Sequence, residues 1–336
     1  MSFPNSVRPS LLPLLVFFSL FSACATGSGS EDSSSRESDF SSAVETLSTE
    51  SSLVRDEITF CGTRDTDNDT NRDLLNRFTE FVANGGLSER RLLRNGDITI
   101  PIIYHVISSG PELSDGEVPD AMLIEQTDIL NRGYSGELGG VSTPFRFETA
   151  GINRVRNAEW HVMSPGSDSE LKAKEALKQG GLDTLNVFVV NIQADLGPDR
   201  EQAKMLGYAT LPILNIIELI AKYDGVVLNF ETLPGSLMEN YNIGHVLIHE
   251  VGHWLGLFHT FLGQCDGILG DLILDTPREK TPELGNYCPV DRDSCPGGGL
   301  DPIHNHMTYT GDSCRFEFTQ NQVDFMLFNS SVFRGL

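Results

Sequence analysis

The chain has 336 residues, of which 21% are charged, and a formal net charge of −23 at pH 7. That length suits one large domain with appendages. So acidic a surface repels phosphate backbones, which argues against nucleic acid as a partner and is compatible with an exported, calcium-binding protein.

The amino terminus reads as an export signal. Leu11 to Phe21 (LLPLLVFFSLF) is apolar but too short for a comfortable membrane span, and only Arg8 precedes it as a basic residue. Two processing readings stand side by side. Ala23-x-Ala25 suits an ordinary signal peptidase, so that residues 1–25 are removed and the protein is secreted. Small residues before Cys24, with a Ser/Gly/acidic tail behind it, suit a bacterial lipoprotein held to the outer membrane or cell surface through an acylated Cys24. Residues 26–52 are polar and Ser-rich, cannot bury enough apolar surface to fold, and read as a linker. Residues 53–96 carry a modest helical pattern around LLNRFTEFV (Leu74 to Val82), preceded by CGTRD at Cys61 to Asp65. They hold too few apolar residues to stand alone, and Arg90, Arg91 and Arg94 lie in a polar stretch suited to proteolytic nicking.

The main domain is expected over residues 97–336. ITIPIIYHVIS from Ile98 predicts a strand containing His105, read as a hydrogen-bonded structural histidine. Pro119 to Arg132 predicts a helix. PFRFETAGINRV predicts a second strand, Ser169 to Gln179 a helix, and LNVFVVNI at Leu185 to Ile192 a buried strand. GYATLP at Gly207 to Pro212 suits an edge strand, and GVVLNF at Gly225 to Phe230 another strand. Residues 260–318 are rich in Gly, Pro, Asp and Cys with little periodicity, an irregular lobe that needs staples. Thr319 and Gln322 make a capping box for a closing helix to Phe328. The fold class is therefore α/β (α+β), with a cleft between a regular upper part and an irregular lower one.

The stretch HEVGHWLGLFH, His249 to His259, organises this pattern. On a helix beginning near Ile243, His249 and His253 share one face about 6 Å apart along the axis, close enough to hold one ion. Glu250 lies beside them and reaches the attacking water without being a ligand. Gly256 accepts a left-handed conformation that ends the helix and turns His259 back. Three neutral histidines with one open position mark a catalytic zinc site. His245, four residues before His249, lacks the following Glu and turn and reads as a helix-face histidine. Of six cysteines, Cys265, Cys288, Cys295 and Cys314 follow this helix and are expected to form two disulfides, with three pairings open.

The zinc stretch followed by NHMTY (Asn305 to Tyr309) resembles the metzincin clan, in which a Met turn floors the histidines; Met307 would be that residue. LNVFVVNI, LGYATLP, DGVVLNF, HEVGHWLGLFHTF, DTP, LDPIHNHMTYTGDSC and FTQNQ further resemble the pappalysin family, especially its compact ulilysin-like secreted bacterial and fungal members. The resemblance spans about residues 97–328. It implies a secreted zinc endopeptidase acting on proteins or peptides, expected as a monomer, with a mixed five-stranded sheet above the cleft. It also implies the interleaved pairs Cys265–Cys295 and Cys288–Cys314, and structural calcium held by Asp271, Thr276 and the carbonyls of Gly270 and Leu274. Tyr309 would ligate zinc, bind the transition state, or simply pack. CGTRD resembles the cysteine of metzincin pro-segments, so that Cys61 would occupy the fourth zinc position in a latent form. The family often has Tyr in place of His306 and Asp in place of Thr308. A non-catalytic binding module on the same fold is the alternative.

Overall fold

A computed structural model describes residues 61–336, except 91–92, 94–95, 194–204, 217–220, 268 and 283–286. The expected signal with Cys24, the linker, the first residues of the 53–96 segment, and Arg91 and Arg94 lie outside the described residues.

The described chain opens with helix α1, Asn68–Ala83, whose N-cap Asp67 accepts the Thr70 N–H at 2.7 Å, and a short α2, Gly86–Arg90. Strand β1, Ile98–Ser108, leads through α3, Asp120–Tyr134, to β2, Phe145–Arg156. A single-turn α4, Ala158–His161, precedes a two-residue strand β3, Val162–Met163, and α5, Asp168–Leu177. Then come β4, Leu185–Ile192, β5, Gly207–Ala209, and β6, Val226–Asn229. The expected active helix is α6, His245–Trp254, and the closing helix is α7, Gln320–Asn329, with the Thr319/Gln322 capping box formed.

The main sheet runs β2-β1-β4-β6-β5, parallel throughout except for β5, which is antiparallel to β6; β3 adds a short parallel pairing to β4. This is the mixed five-stranded sheet expected, with β5 as the edge on the cleft side. The sequence pattern carried no sign of β3, whose two residues offer no period. β5 is shorter than GYATLP implied. Thr210 N–H still reaches the Gly225 carbonyl at 3.0 Å, but the chain then turns into a 3₁₀ segment at Pro212–Ile216. Proline has no N–H to extend a ladder there.

β4 is apolar almost throughout because both its faces are covered. Leu185, Val187 and Val189 join the larger core cluster with residues of α3 and α6, whereas Phe188 and Val190 join a second cluster with Ala173 of α5. His105 is structural, as read. Its Nε2 meets Asn186 Oδ1 at 2.9 Å, and its ring stacks on Phe188 at 4.6 Å. The lower lobe carries the disulfides Cys265–Cys295 and Cys288–Cys314. α1 leans on α7 through Phe78, 5.2 Å from Phe325, and Phe81, 5.3 Å from Phe328.

A buried clamp fixes the end of α6. Arg334 Nε donates to the Trp254 carbonyl at 2.7 Å, its Nη1 and Nη2 donate to Asp224, and the Trp254 indole N–H donates to Asp224 at 3.1 Å. Neither side chain of the ion pair is exposed to solvent. Asp224→Ala strands the guanidinium without its counter-charge and is expected to cost about 3–5 kcal/mol, measured as the shift in a urea unfolding curve.

Candidate metal centre and active site

Every residue of α6 is buried, so this helix is set by its surroundings rather than by propensity. Its N-terminus has no side-chain cap of its own. Asp312 supplies one from a distance, taking the N–H groups of Ile243 at 3.2 Å and His245 at 3.3 Å, while Arg315 neutralises that carboxylate at 2.7 Å. The helix starts at His245 rather than near Ile243 because its N-cap Gly244 takes φ +88°, outside the right-handed helical region. At the other end Gly256 takes φ +101°, Gly256 N–H donates to His253 O at 2.8 Å and Leu257 N–H to Gly252 O at 2.9 Å, a Schellman turn. A Cβ on Gly256 would also stand 2.4 Å from Asn329 Cγ. The turn delivers His259 and orients a neighbour as well, because the Leu257 carbonyl accepts His253 Nδ1 at 2.7 Å.

His249 Nδ1 lies 2.7 Å from the His306 carbonyl. A carbonyl only accepts, so both imidazoles spend their single proton on Nδ1 and leave Nε2 bare. Burial pushes His249 and His253 well below the usual histidine range and keeps them neutral. The bare Nε2 atoms face each other at 3.1 Å, and His259 Nε2 stands 3.0 Å from that of His253. Lone pairs so placed repel unless a cation lies between them. Cys61 Sγ completes the cluster, and the four candidate ligand atoms all lie within 4.8 Å of one another.

Glu250 is buried beside this cluster and burial pushes it up to about 8. Its Oε2 accepts the Cys61 thiol at 3.3 Å and the Thr63 hydroxyl at 3.2 Å. Burial and the Glu250 carboxylate together push the thiol well above its usual range. The segment carrying Cys61 lies along β5. Gly62 N–H donates to the Gly207 carbonyl at 2.9 Å and Ala209 N–H to Thr63 Oγ1 at 2.8 Å, with Cys61 in a parallel bridge to Gly207. A Cβ at Gly62 would stand 2.6 Å from Met205 Sδ, so a side chain there would have to displace that methionine. Met307 is fully buried under α6, and a Cβ on Gly252 would meet its sulfur at 2.4 Å. Tyr309 donates from its hydroxyl to the Cys61 carbonyl at 3.4 Å, with its ring 4.9 Å from that of His259.

The family model of peptidase M43, pregnancy-associated plasma protein-A, matches residues 178–329. An extracellular metalloprotease of Sordaria macrospora is 37% identical over 257 residues, 75% of this chain and 79% of the relative. One of Neurospora crassa is 38% identical over 231 residues, 67% and 72% of the two chains. The chain is a metalloprotease of the peptidase M43 (pappalysin) family. Among solved structures, mature mirolysin of Tannerella forsythia, in complex with a cleaved peptide, superposes with a TM-score of 0.54 at 26% identity, covering 68% of this chain and 90% of the other. A promirolysin variant from the same organism shares the fold with a TM-score of 0.60 at 23% identity, covering 82% and 95%. Like the fungal relatives, this M43 metalloprotease is extracellular.

In this M43 chain the sequence-derived residues divide into two places. Cys61, His249, Glu250, His253, His259, Met307 and Tyr309 come together. Gly270, Asp271, Leu274 and Thr276 form a loop outside that cluster. There the Asp271 carboxylate accepts Ile273 N–H at 3.1 Å and Thr276 Oγ1 at 2.7 Å, and burial pushes it up to about 7. His245 does not reach the cluster; its ring meets His306 at 5.7 Å. Sequence reasoning missed several neighbours of the histidine cluster. Thr63, on Glu250, and Asp65, 3.7 Å from His259 Nδ1, stood unread inside CGTRD. Asp312 and Glu279 carry no local signal for their roles, since Ile243 and His245 on the one hand and Thr260 and Thr308 on the other lie far away in the chain, and Arg315 went unread beside Asp312.

Proposed function

We propose that this protein is a secreted zinc endopeptidase made as a latent precursor. His249, His253 and His259 would hold the ion. Tetrahedral zinc with Zn–N of about 2.0–2.1 Å places its nitrogens roughly 3.3 Å apart, close to the 3.1 and 3.0 Å between these Nε2 atoms. Zinc supplies Lewis-acid polarisation of the scissile carbonyl and of the attacking water. Glu250 takes the proton from that water and delivers it to the leaving amine. An extended substrate adds a strand to β5, using the Gly207 carbonyl and Ala209 N–H that now bond Gly62 and Thr63. Tyr309, already donating to a main-chain carbonyl on that path, would bind the substrate carbonyl as charge develops on it. The observation that carries this reading is the convergence of three Nε2 atoms beside one buried carboxylate. Glu250→Ala is expected to lower kcat/KM on casein by about 10²–10⁴-fold with zinc content unchanged, and a chelator to abolish cleavage by the wild type. Wild-type cleavage by Glu250→Ala would sink the mechanism.

Residues 1–25 would direct export, 26–52 link, 53–96 act as the pro-segment, and 97–336 form the catalytic domain. Cys61 would fill the fourth zinc position of the precursor while Gly62 and Thr63 cover the substrate edge. A cation reverses the local preference for a protonated thiol, because a ligating thiol loses its proton. The unprocessed Cys61→Ala chain is expected to cleave casein at least tenfold faster than the unprocessed wild type; equal latency would refute the switch.

Calcium would bind at Asp271 with Thr276 and the carbonyls of Gly270 and Leu274. The support is a carboxylate 5% exposed that, among the described residues, pairs with no cationic side chain. Buried charge of that kind calls for a counter-charge, and hard oxygens suit calcium. Asp271→Ala is expected to lose one calcium per chain by elemental analysis, and an unchanged stoichiometry would remove the assignment.

A further inference from the structure

We infer that Glu279 is a positioning residue for the metal centre, tying the residue after His259 to the residue after Met307 and so holding the third histidine over the methionine turn. This role rests on the three-histidine zinc site proposed above. The Glu279 carboxylate is fully buried. Its Oε1 accepts two hydroxyls from opposite sides, Thr260 at 2.6 Å and Thr308 at 2.7 Å. Its Oε2 accepts Arg292 Nη1 at 3.0 Å. Arg292 is in turn paired with Asp301 and donates to the Lys280 carbonyl at 2.9 Å. Asp301 Oδ1 takes Ser294 N–H at 2.9 Å, next to Cys295 of the disulfide to Cys265. A continuous polar path therefore runs from the stapled lobe to the backbone on either side of the metal cluster.

The three histidines are not held alike. His249 and His253 each present Nδ1 to a main-chain carbonyl at 2.7 Å. Among the described residues no carbonyl takes His259 Nδ1. Its polar neighbour is Asp65 at 3.7 Å, which belongs to the amino-terminal segment. Once that segment leaves, His259 is oriented by its ring neighbours, Phe261 at 4.8 Å and Tyr309 at 4.9 Å, and by its backbone. The backbone hold is Thr260, whose N–H reaches the Met307 carbonyl at 3.3 Å and whose hydroxyl is anchored by Glu279. Groups that orient metal ligands typically change metal affinity by about 10–100-fold when removed.

The test uses the full chain loaded with zinc, with affinity read by competition against a chelator, and the cobalt-substituted protein, with geometry read from its visible absorption bands. Glu279→Ala is expected to weaken zinc binding at least tenfold and to shift the cobalt bands. Glu279→Gln, which keeps an oxygen for the hydroxyls, is expected to restore most of the affinity. Asp301→Asn, which disturbs Arg292 but neither threonine, is expected to lower the unfolding temperature with zinc affinity within threefold of wild type. Should Glu279→Ala fail to fold, the double variant Thr260→Val/Thr308→Val carries the same expectation of a tenfold loss. Wild-type affinity and cobalt bands in Glu279→Ala or in the double variant, however unstable, would overturn the positioning role and leave the zinc site standing. A wild type that binds no zinc would overturn the site itself and this role with it.

Discussion

The structure depends on three imidazole Nε2 atoms forced towards one point inside a dry interior. The Nε2 atoms of His249 and His253 are bare because each ring's proton is used at Nδ1, both residues are buried on α6, and His259 is buried beside them. Left alone, that arrangement is repulsive. It is sustained because the elements that impose it are anchored remotely: Asp312 caps the start of α6, the Arg334–Asp224 pair grips its end, and the Schellman turn at Gly256 places His259. The sheet contributes one more requirement, an edge strand beside the cluster, and β5 meets it by running against its parallel neighbours.

Much of this was legible in the chain. Alternation at the start of ITIPIIYHVIS placed β1, which is exposed on one face only in its first half, and the apolar run LNVFVVNI placed β4, which is covered on both faces. HEVGHWLGLFH announced the histidine cluster because its pattern is local: two histidines one helical turn apart, a carboxylate between them, a glycine for the turn. What escaped reading was long-range. The cap of α6 comes from a residue 67 positions away, and Glu279 bonds partners 19 and 29 positions from it. No window of sequence holds both ends of such contacts. β3 was missed because two residues have no period, and β5 was overextended because Pro212 marks where the backbone departs rather than where the strand stops.

The irregular lower lobe is also less arbitrary than its composition suggested. Two disulfides close it, and the carboxylate–guanidinium cluster of Glu279, Arg292 and Asp301 stands where the lobe touches the residues flanking His259 and Met307. Shape in this lobe comes from cross-links and ion pairs, and both act between segments that share no secondary structure.

The amino-terminal segment is fastened at two distant points, Cys61 to Thr63 along β5 and the phenylalanines of α1 against α7. Only residues 64–77 separate the first point from Phe78. A break in the chain beyond Arg90 would leave both fastenings intact. Each then keeps the other at high local concentration, so the cleft would stay covered until α1 peels from α7. The time needed to expose β5 would be set by a dissociation rate, and a denaturant or a competing apolar surface acting on Phe325 and Phe328 could hasten it without touching the metal.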